Sequence, residues 1–289
     1  MDFQRYDNAE SFSADVLHIL LNNEVENNLT ISLLTESKAK YATDWLMATV
    51  ADKGEPVLIA ICTKPFNILL HEAENATPES VSLLARELKR IGAELPGVMA
   101  ERGLALRFAR AYTADGASCA CSDAGAAKPH MSIIVMRLDE LSAYDKAPGS
   151  CRLLEERDMF FAPYWERAFS EDCRVQVFSI QENANRIRTR VAKGTHFIWE
   201  DGVPVSQAVH GRSTPNGAVI NMVYTPPHFR GRGYATSVVA ELSDSLLKNG
   251  KDFCCLFADA GNPVSCELYR KLGYYDAFFL DDIRFDTGR

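Results

Sequence analysis

Apolar residues recur along the first half of the chain with two different periods. Spacings of three and four residues predict helices over 13–20, 24–34, 78–91 and 101–112. Ser13 is predicted to cap the first of these helices, and Gly92 to mark the end of the third. Shorter apolar runs predict strands over 46–50, 56–62, 67–71 and 131–138. Asp52-Lys53-Gly54 has the composition of a hairpin turn between the first two strands.

The second half of the chain repeats this order of elements. Helices are predicted after Asp158, expected to be a cap, and over 181–192, 234–249 and 262–272. Strands are predicted over 195–199, 204–211, 218–224 and 252–258, with one or two closing strands over 274–285. The Asp201-Gly202 turn follows the turn at Asp52 by about 150 residues. The pattern predicts two copies of one plan, as domains 1–145 and 150–289.

Composition narrows the class of protein. The chain has 289 residues, 47% of them apolar, and a net charge of −8, which argues against a general nucleic-acid surface. Its longest apolar run, 57–62, is too short to cross a membrane, and its start lacks the basic and apolar segments of a signal peptide. We therefore expect a cytoplasmic protein with no membrane or nucleic-acid partner. The eight cysteines are expected to be free thiols, and no metal site is predicted. The role of Cys119 and Cys121 stays open.

The stretch most suggestive of chemistry is 226–235, which reads Pro-Pro-His-Phe-Arg-Gly-Arg-Gly-Tyr-Ala. The two prolines must end the preceding strand because they lack an amide donor. Gly231 and Gly233 would let backbone amides approach a ligand closely, at the start of a helix whose dipole favours an anion. Arg230 and Arg232 add positive charge suited to phosphate. A solvated basic turn is the alternative for this stretch alone, and the Walker lysine pattern of nucleotide-binding proteins is missing.

A second motif follows one strand later, where 262–274 reads Asn-Pro-Val-Ser-Cys-Glu-Leu-Tyr-Arg-Lys-Leu-Gly-Tyr. Together the two motifs resemble the GNAT superfamily of acyl-CoA-dependent N-acyltransferases. The resemblance covers about 152–285. It implies an α/β (α+β) fold of two tandem GNAT-like domains, each a mixed, mostly antiparallel twisted sheet flanked by helices. It also implies that the strand over 218–224 splays from the strand over 254–258 where the thioester lies.

The resemblance implies acetyl-CoA as co-substrate and an amine as acceptor. The implied cofactor contacts are Val223, Tyr224, Thr225, Arg230, Gly231, Arg232, Gly233, Tyr234, Ala235, Asn262 and Ser265. Asn262, Ser265 and Tyr269 share one helix face by their spacing, although Asn262 is equally suited to a helix cap and Tyr269 could be a packed aromatic residue.

Catalysis would need an oxyanion donor, a group that stabilises the leaving thiolate, and a base. The implied oxyanion donor is a backbone N–H near Val223 to Thr225. Tyr269 is the predicted partner of the thiolate, through a hydrogen bond and not full proton transfer, because a phenol titrates near ~10 and a thiol near ~8.5. His210 is the predicted base because imidazole titrates near neutrality, with Glu200 and Tyr224 as alternatives.

The first half differs from the second at the matching turn. Residues 72–81 contain no glycine or arginine and carry Glu72, Glu74 and Glu79, which would repel a phosphate. We predict a degenerate first domain and one CoA site per chain. The predicted function is N-acetylation of a primary amine on a small molecule or peptide. The alternative is a CoA-binding sensor or interaction protein without turnover. The sequence does not identify the acceptor, the acyl-chain preference or the oligomeric state.

Overall fold

The computed structural model describes residues 1–35, 44–114 and 129–285; Cys119 and Cys121 lie outside them. Its first half contains β1 (Asp2–Tyr6), α1 (Ala9–Leu21), α2 (Glu24–Thr35), β2 (Leu46–Asp52), β3 (Glu55–Cys62), β4 (Ile68–Glu72), α3 (Pro78–Arg90), β5 (Gly97–Glu101), α4 (Arg102–Thr113) and β6 (Met131–Leu138). Its second half contains β7 (Ser150–Leu153), α5 (Ala162–Asp172), α6 (Ile180–Lys193), β8 (His196–Asp201), β9 (Val203–Ser213), β10 (Gly217–Tyr224), α7 (Tyr234–Lys248), β11 (Phe253–Asp259), α8 (Pro263–Lys271) and β12 (Tyr275–Arg284). The two halves follow the same order of helices and strands, as predicted.

The chain divides into two compact units. The first contains Met1–Val135 and the chain from Ala277 on, and the second contains Met136–Asp276. The sequence pattern placed all of 150–289 in the second domain, whereas the last strand belongs to the first unit. In that strand, residues Leu280 to Arg284 pair antiparallel with Glu101 to Gly97 of β5. A strand's pattern shows that it pairs but not with which partner, so this pairing could not be read from the sequence.

The sheet of the first unit has the strand order β1-β2-β3-β4-β5-β12-β6. Its neighbours from β1 to β4 are antiparallel, whereas β4 and β5 are parallel. Alternate residues of β2 face opposite layers of helices. Met47 packs with Phe12 and Leu20 of α1, and Val50 packs in the cluster that holds α3 and α4. This is the mixed sheet flanked by helices that the resemblance of the two motifs implied.

The sheet of the second unit has the strand order β11-β10-β9-β8-β7. Strands β7 to β10 are antiparallel neighbours, whereas β10 and β11 are parallel. One cluster joins α5 and α6 to Ile198 of β8. Val238 and Val239 of α7 are fully buried. Because β10 and β11 are parallel, the turns that follow them lie at the same edge of this sheet.

Several local predictions were wrong at element ends. The first helix begins at Ala9, capped by Asn8, so Ser13 lies inside it. Asp158 does not cap α5; it lies 3% exposed and accepts two hydrogen bonds from the Arg152 guanidinium, at 2.6 and 2.9 Å. A third bond, from the Glu155 N–H at 2.9 Å, makes Asp158 part of the capping box of the 3-10 turn that precedes α5.

Candidate active site

The parallel strands β10 and β11 separate at their carboxyl ends. Their ladder runs over four pairs, from Gly217–Phe253 to Ile220–Leu256, while β10 continues to Tyr224 and β11 to Asp259. On its other side β10 pairs with β9 at Asn221–Val209 and again at Tyr224–Gln207. Two residues of β10 therefore face a single residue of β9, which is a β-bulge. Met222, in this bulge, has a φ of +53°.

Two buried polar side chains of β9 bond to the bulge. Ser206 Oγ donates to the carbonyl oxygen of Tyr224 at 3.2 Å and lies 2.8 Å from Thr225 Oγ1. Gln207 Nε2 donates to the carbonyl oxygen of Met222 at 3.4 Å. Neither residue was predicted as functional. Their signal in the sequence is a polar pair between the apolar residues Val205 and Ala208.

The turn after β10 leads into the N-terminus of α7. After the 3-10 turn Pro227–Phe229, Gly231 and Gly233 have φ values of +77° and +80°, a region that other L-residues rarely occupy. A Cβ at Gly231 would meet nothing within 4 Å, and one at Gly233 would lie 3.6 Å from Ala147. The first turn of α7 carries no acidic residue. The helix thus presents its positive end on an exposed turn that is open to an anion.

The two arginines of this turn have different surroundings. Arg230 donates through Nε to the Thr225 carbonyl at 2.9 Å, and its guanidinium pairs with Asp172 at 2.6 Å. It also lies over the Tyr224 ring, 5.9 Å from the centroid. The guanidinium of Arg232 lies 6.0 Å from the centre of the Phe229 ring. Arg230 therefore fixes the turn against the end of β10, while Arg232 lies exposed beside the glycines.

Helix α8 begins at the end of β11 and carries the second motif. Asn262 caps it, because its side chain accepts from Ser265 N at 3.2 Å, and Ser265 Oγ donates back to the Asn262 carbonyl at 3.1 Å. Tyr269, two turns into the helix, is 8% exposed and packs edge-on against Tyr274. Burial raises the pKa of Tyr269 well above the usual phenol value, and the nearby thiols of Cys173 and Cys266 act in the same direction.

Comparisons with known proteins match this arrangement. Residues 201–280, which include the glycine turn, β11 and α8, match the family model described as FR47-like protein. No curated protein matches the chain. A GNAT-family acetyltransferase from Colwellia psychrerythraea is similar over 99% of this chain and 100% of its own, with 9% identity and a TM-score of 0.62. A GCN5-related N-acetyltransferase from Sphaerobacter thermophilus is similar over 98% and 96%, with 16% identity and a TM-score of 0.64. A tandem GNAT protein from the clavulanic acid biosynthesis pathway is similar over 97% of both chains, with 13% identity and a TM-score of 0.56.

The chain has the tandem GNAT fold. The tandem arrangement predicted from its two motifs and its repeated plan is confirmed. In this GNAT fold, the predicted cofactor contacts 223–225 and 230–235 lie at the end of β10, on the turn into α7 and on the first residues of that helix. Asn262 and Ser265 are the cap and a first-turn residue of α8. Tyr234, at the start of α7, donates from its hydroxyl to Asp201 Oδ2 at 2.6 Å.

The predicted base lies further back along the strands. His210 pairs with Ile220, before the bulge, and its Nε2 lies 2.9 Å from Ser213 Oγ near the β9–β10 hairpin. Burial lowers the pKa of His210, and the charge of Lys251 lowers it further, so the imidazole is neutral at pH 7. The structure thus does not bring His210 to the carboxyl ends of β10 and β11.

Cys173 is a neighbour of Tyr269 that the sequence pattern did not indicate. It ends α5, and burial raises its pKa to about 11, with the charges of Asp172 and Asp259 acting in the same direction. The thiol is therefore protonated at neutral pH. It joins the end of α5 to the same region as Arg230 and Tyr269. A tertiary contact of this kind leaves no local signal in the sequence.

The described parts of the chain contain neither a group of metal ligands nor a helix that could span a membrane. Within 1–35, 44–114 and 129–285, no three His, Cys, Asp or Glu side chains are grouped so that they could hold a metal ion. No helix in these parts of the chain has the length and apolar character needed to span a membrane.

Proposed function

We propose that the second unit binds acetyl-CoA and transfers its acetyl group to a primary amine. The observation that carries the proposal is the separation of β10 and β11 beyond Ile220 and Leu256. Two helices start at the same edge of the sheet, α7 after an exposed glycine turn and α8 with the buried Tyr269. A gap between parallel strands at their carboxyl ends is a common location for a ligand.

The turn into α7 is suited to the cofactor pyrophosphate. The amides from Gly231 to Ala235 belong to the open turn and first residues of α7, and the first turn of this helix carries no acidic side chain of its own. Gly231 and Gly233 leave space above the backbone, and Arg232 adds an exposed positive charge. The pantetheine arm would then run into the gap between β10 and β11, beside the backbone of Val223, Tyr224 and Thr225.

The chemistry is nucleophilic addition to the thioester followed by loss of the thiolate. The amine nitrogen forms a bond to the carbonyl carbon, the oxyanion takes hydrogen bonds from bulge amides, and the C–S bond then breaks. Tyr269 keeps its proton because its pKa is raised, so it can donate a hydrogen bond to the departing sulfur. The proton lost by the amine goes to a base or to water.

In the first unit, the turn that corresponds to the glycine turn of the second unit is flanked by carboxylates. The parallel pair of the first unit is β4–β5, and β4 is followed by α3, whose first turn contains Glu79. That carboxylate already lies at the positive end of α3. Past the parallel pair, both carboxylate oxygens of Glu72 bond to the Arg107 guanidinium. These contacts support one CoA site per chain, in the second unit.

A second candidate function is CoA binding without turnover, as in a sensor. The engagement of His210 with Ser213, before the bulge, favours it because the predicted base is then not available at the gap.

A binding and turnover experiment separates the two functions. Acetyl-CoA is titrated into the full chain by calorimetry, and thiol release is then followed with an amino acid, a polyamine, an aminoglycoside and a peptide with a free N-terminus. We expect binding and turnover on at least one amine. Binding without turnover on any amine would favour the sensor, and no binding would contradict both functions.

A further inference from the structure

Two fully buried polar residues lie next to the bulge of β10. Gln207 of β9 is 0% exposed and His196 of β8 is 1% exposed. Buried polar groups are costly unless they are hydrogen-bonded, so their partners explain why the sheet tolerates them. Gln207 bonds to the Met222 carbonyl, and its Oε1 lies 3.2 Å from His196 Nε2. The two side chains form a short relay that ends on the bulge.

The chemistry of the groups fixes the orientation of this relay. A backbone carbonyl can only accept, so the amide nitrogen of Gln207 must be the group facing Met222. Its oxygen then faces His196, which must donate from Nε2. The other ring nitrogen, Nδ1, is buried and has no hydrogen-bond partner among the residues that the structure describes, which fits a neutral ring protonated on Nε2 alone. His196 thereby prevents Gln207 from rotating its amide.

The relay also fixes a backbone direction. In a planar trans peptide, the C=O of one residue and the N–H of the next point in opposite directions. Because the Met222 carbonyl points at Gln207, the Val223 N–H points away from it. The β9–β10 ladder is interrupted over these two residues. Met222 holds a positive φ, which is strained for a residue other than glycine, so the conformation depends on contacts such as the bond from Gln207.

We infer that Gln207, held by His196, is a positioning residue that aims the Val223 N–H at the thioester oxygen. The inference rests on the proposed acetyl-CoA site. The buried side chains of Gln207 and His196 touch neither substrate nor cofactor in this arrangement. They act by holding one peptide group in a conformation that the strand would not otherwise keep.

The first test measures hydrogen bonding to the thioester carbonyl directly and needs no amine acceptor. Isotope-edited infrared spectroscopy of carbonyl-labelled acetyl-CoA compares the C=O stretch of the bound and free cofactor. The wild-type chain should lower the stretch, because a hydrogen bond weakens the C=O bond. Gln207→Met replaces the amide by an apolar side chain of similar length and should lose most of that shift while still binding. An unchanged shift in the bound variant would overturn the inference. Failure of the wild-type chain to bind acetyl-CoA would instead overturn the proposed function.

The second test separates positioning from packing. Gln207→Met should lower kcat roughly 100-fold, the lower end for loss of one oxyanion donor, with the acetyl-CoA Kd within about threefold of wild type. The control is Val205→Ala, which removes buried volume from β9 at a position that does not pair with His196. It should lower Tm and leave kcat within about threefold. Equal losses of kcat in the two variants would overturn the inference.

A third variant keeps Gln207 and tests the relay, including the case in which Gln207→Met does not fold. His196→Leu removes the donor that orients Gln207 and should lower kcat by about tenfold, with part of the infrared shift retained. The double variant should be no slower than Gln207→Met alone, because the two residues act in series. Additive losses, or an unchanged kcat in His196→Leu, would contradict the relay.

Discussion

The glycine turn permits a test in which one charge is the only variable. Gly233→Asp and Gly233→Asn place side chains of nearly equal size where the φ is +80°. Both residues tolerate this backbone region better than other side chains do, so the two variants share a similar strain of about 1 kcal/mol. A Cβ there meets only Ala147, at an ordinary contact distance of 3.6 Å. Both variants should therefore fold, and they differ only in charge.

The size of the charge effect follows from Coulomb's law. A carboxylate about 6 Å from the pyrophosphate is repelled by roughly 0.7 kcal/mol per unit charge at the dielectric constant of water and by about 3 kcal/mol at an effective value near 20. The turn is exposed, so a value between these limits applies. Gly233→Asp should thus bind acetyl-CoA roughly 10- to 100-fold more weakly than Gly233→Asn. Raising the salt from 0.1 to 1 M should narrow the gap, because the Debye length falls from about 10 to about 3 Å.

Calorimetry on the full chain measures the acetyl-CoA affinity of both Gly233 variants. Thermal unfolding gives a second measurement, in which the Asp variant is not expected to be the weaker of the two. Without cofactor, the Gly233→Asp variant should be at least as stable as the Gly233→Asn variant, since a carboxylate at a helix N-terminus is favourable. The control is Gly250→Asp at the other end of α7, where φ is +90° and a Cβ meets nothing within 4 Å. It should leave acetyl-CoA affinity unchanged. Equal affinities in the two Gly233 variants would refute the phosphate site at this turn.

Three further outcomes are expected. Tyr269→Phe should lower kcat about 100-fold with acetyl-CoA affinity nearly intact, measured by thiol release and calorimetry; an equally active variant would leave the phenol a packing role alone. Titration of the full chain should give one acetyl-CoA per chain, and two sites of comparable affinity would contradict the role given to Glu72 and Glu79. His196 should make stability depend on pH: burial, followed by the charge of Arg190, lowers its pKa to about 3, so its contribution is complete above the unfolded value near ~6.5 and is lost as the pH falls towards 3. Urea unfolding should show about 2 kcal/mol less stability at pH 5 than at pH 7 from this group, and His196→Leu should lack that part of the slope.

The elements that could be predicted are those whose signal is local. Both hairpin turns were correctly placed because a positive φ at Lys53, Gly54 and Gly202 leaves a clear composition in the sequence. The short strands β1, β5 and β7 were missed. Each is four or five residues long, which is too short for a periodic pattern to stand out.

The residues of the candidate site also differ in whether a local motif in the sequence could reveal them. Gly231, Gly233 and Tyr269 belong to two short motifs, and the resemblance of those motifs to a known family was enough to predict them as site residues. Gln207 could not, because its role depends on a register shift between two strands that sequence alone does not give. Ser206 and Gln207 instead break the apolar pattern of their strand.

The pairing of β12 with β5 has a consequence for the order in which the protein is made. The paired residues are about 180 positions apart in the chain. During synthesis, β5 therefore cannot pair with β12 until the residues between them have been translated. At roughly 5 to 20 residues per second, the wait is about 10 to 35 seconds. During this time the first unit has a strand edge that a neighbouring nascent chain could join. The unit that is translated first is thus completed last, and ribosome-bound chains stopped before Ala277 should be cleaved by protease within it.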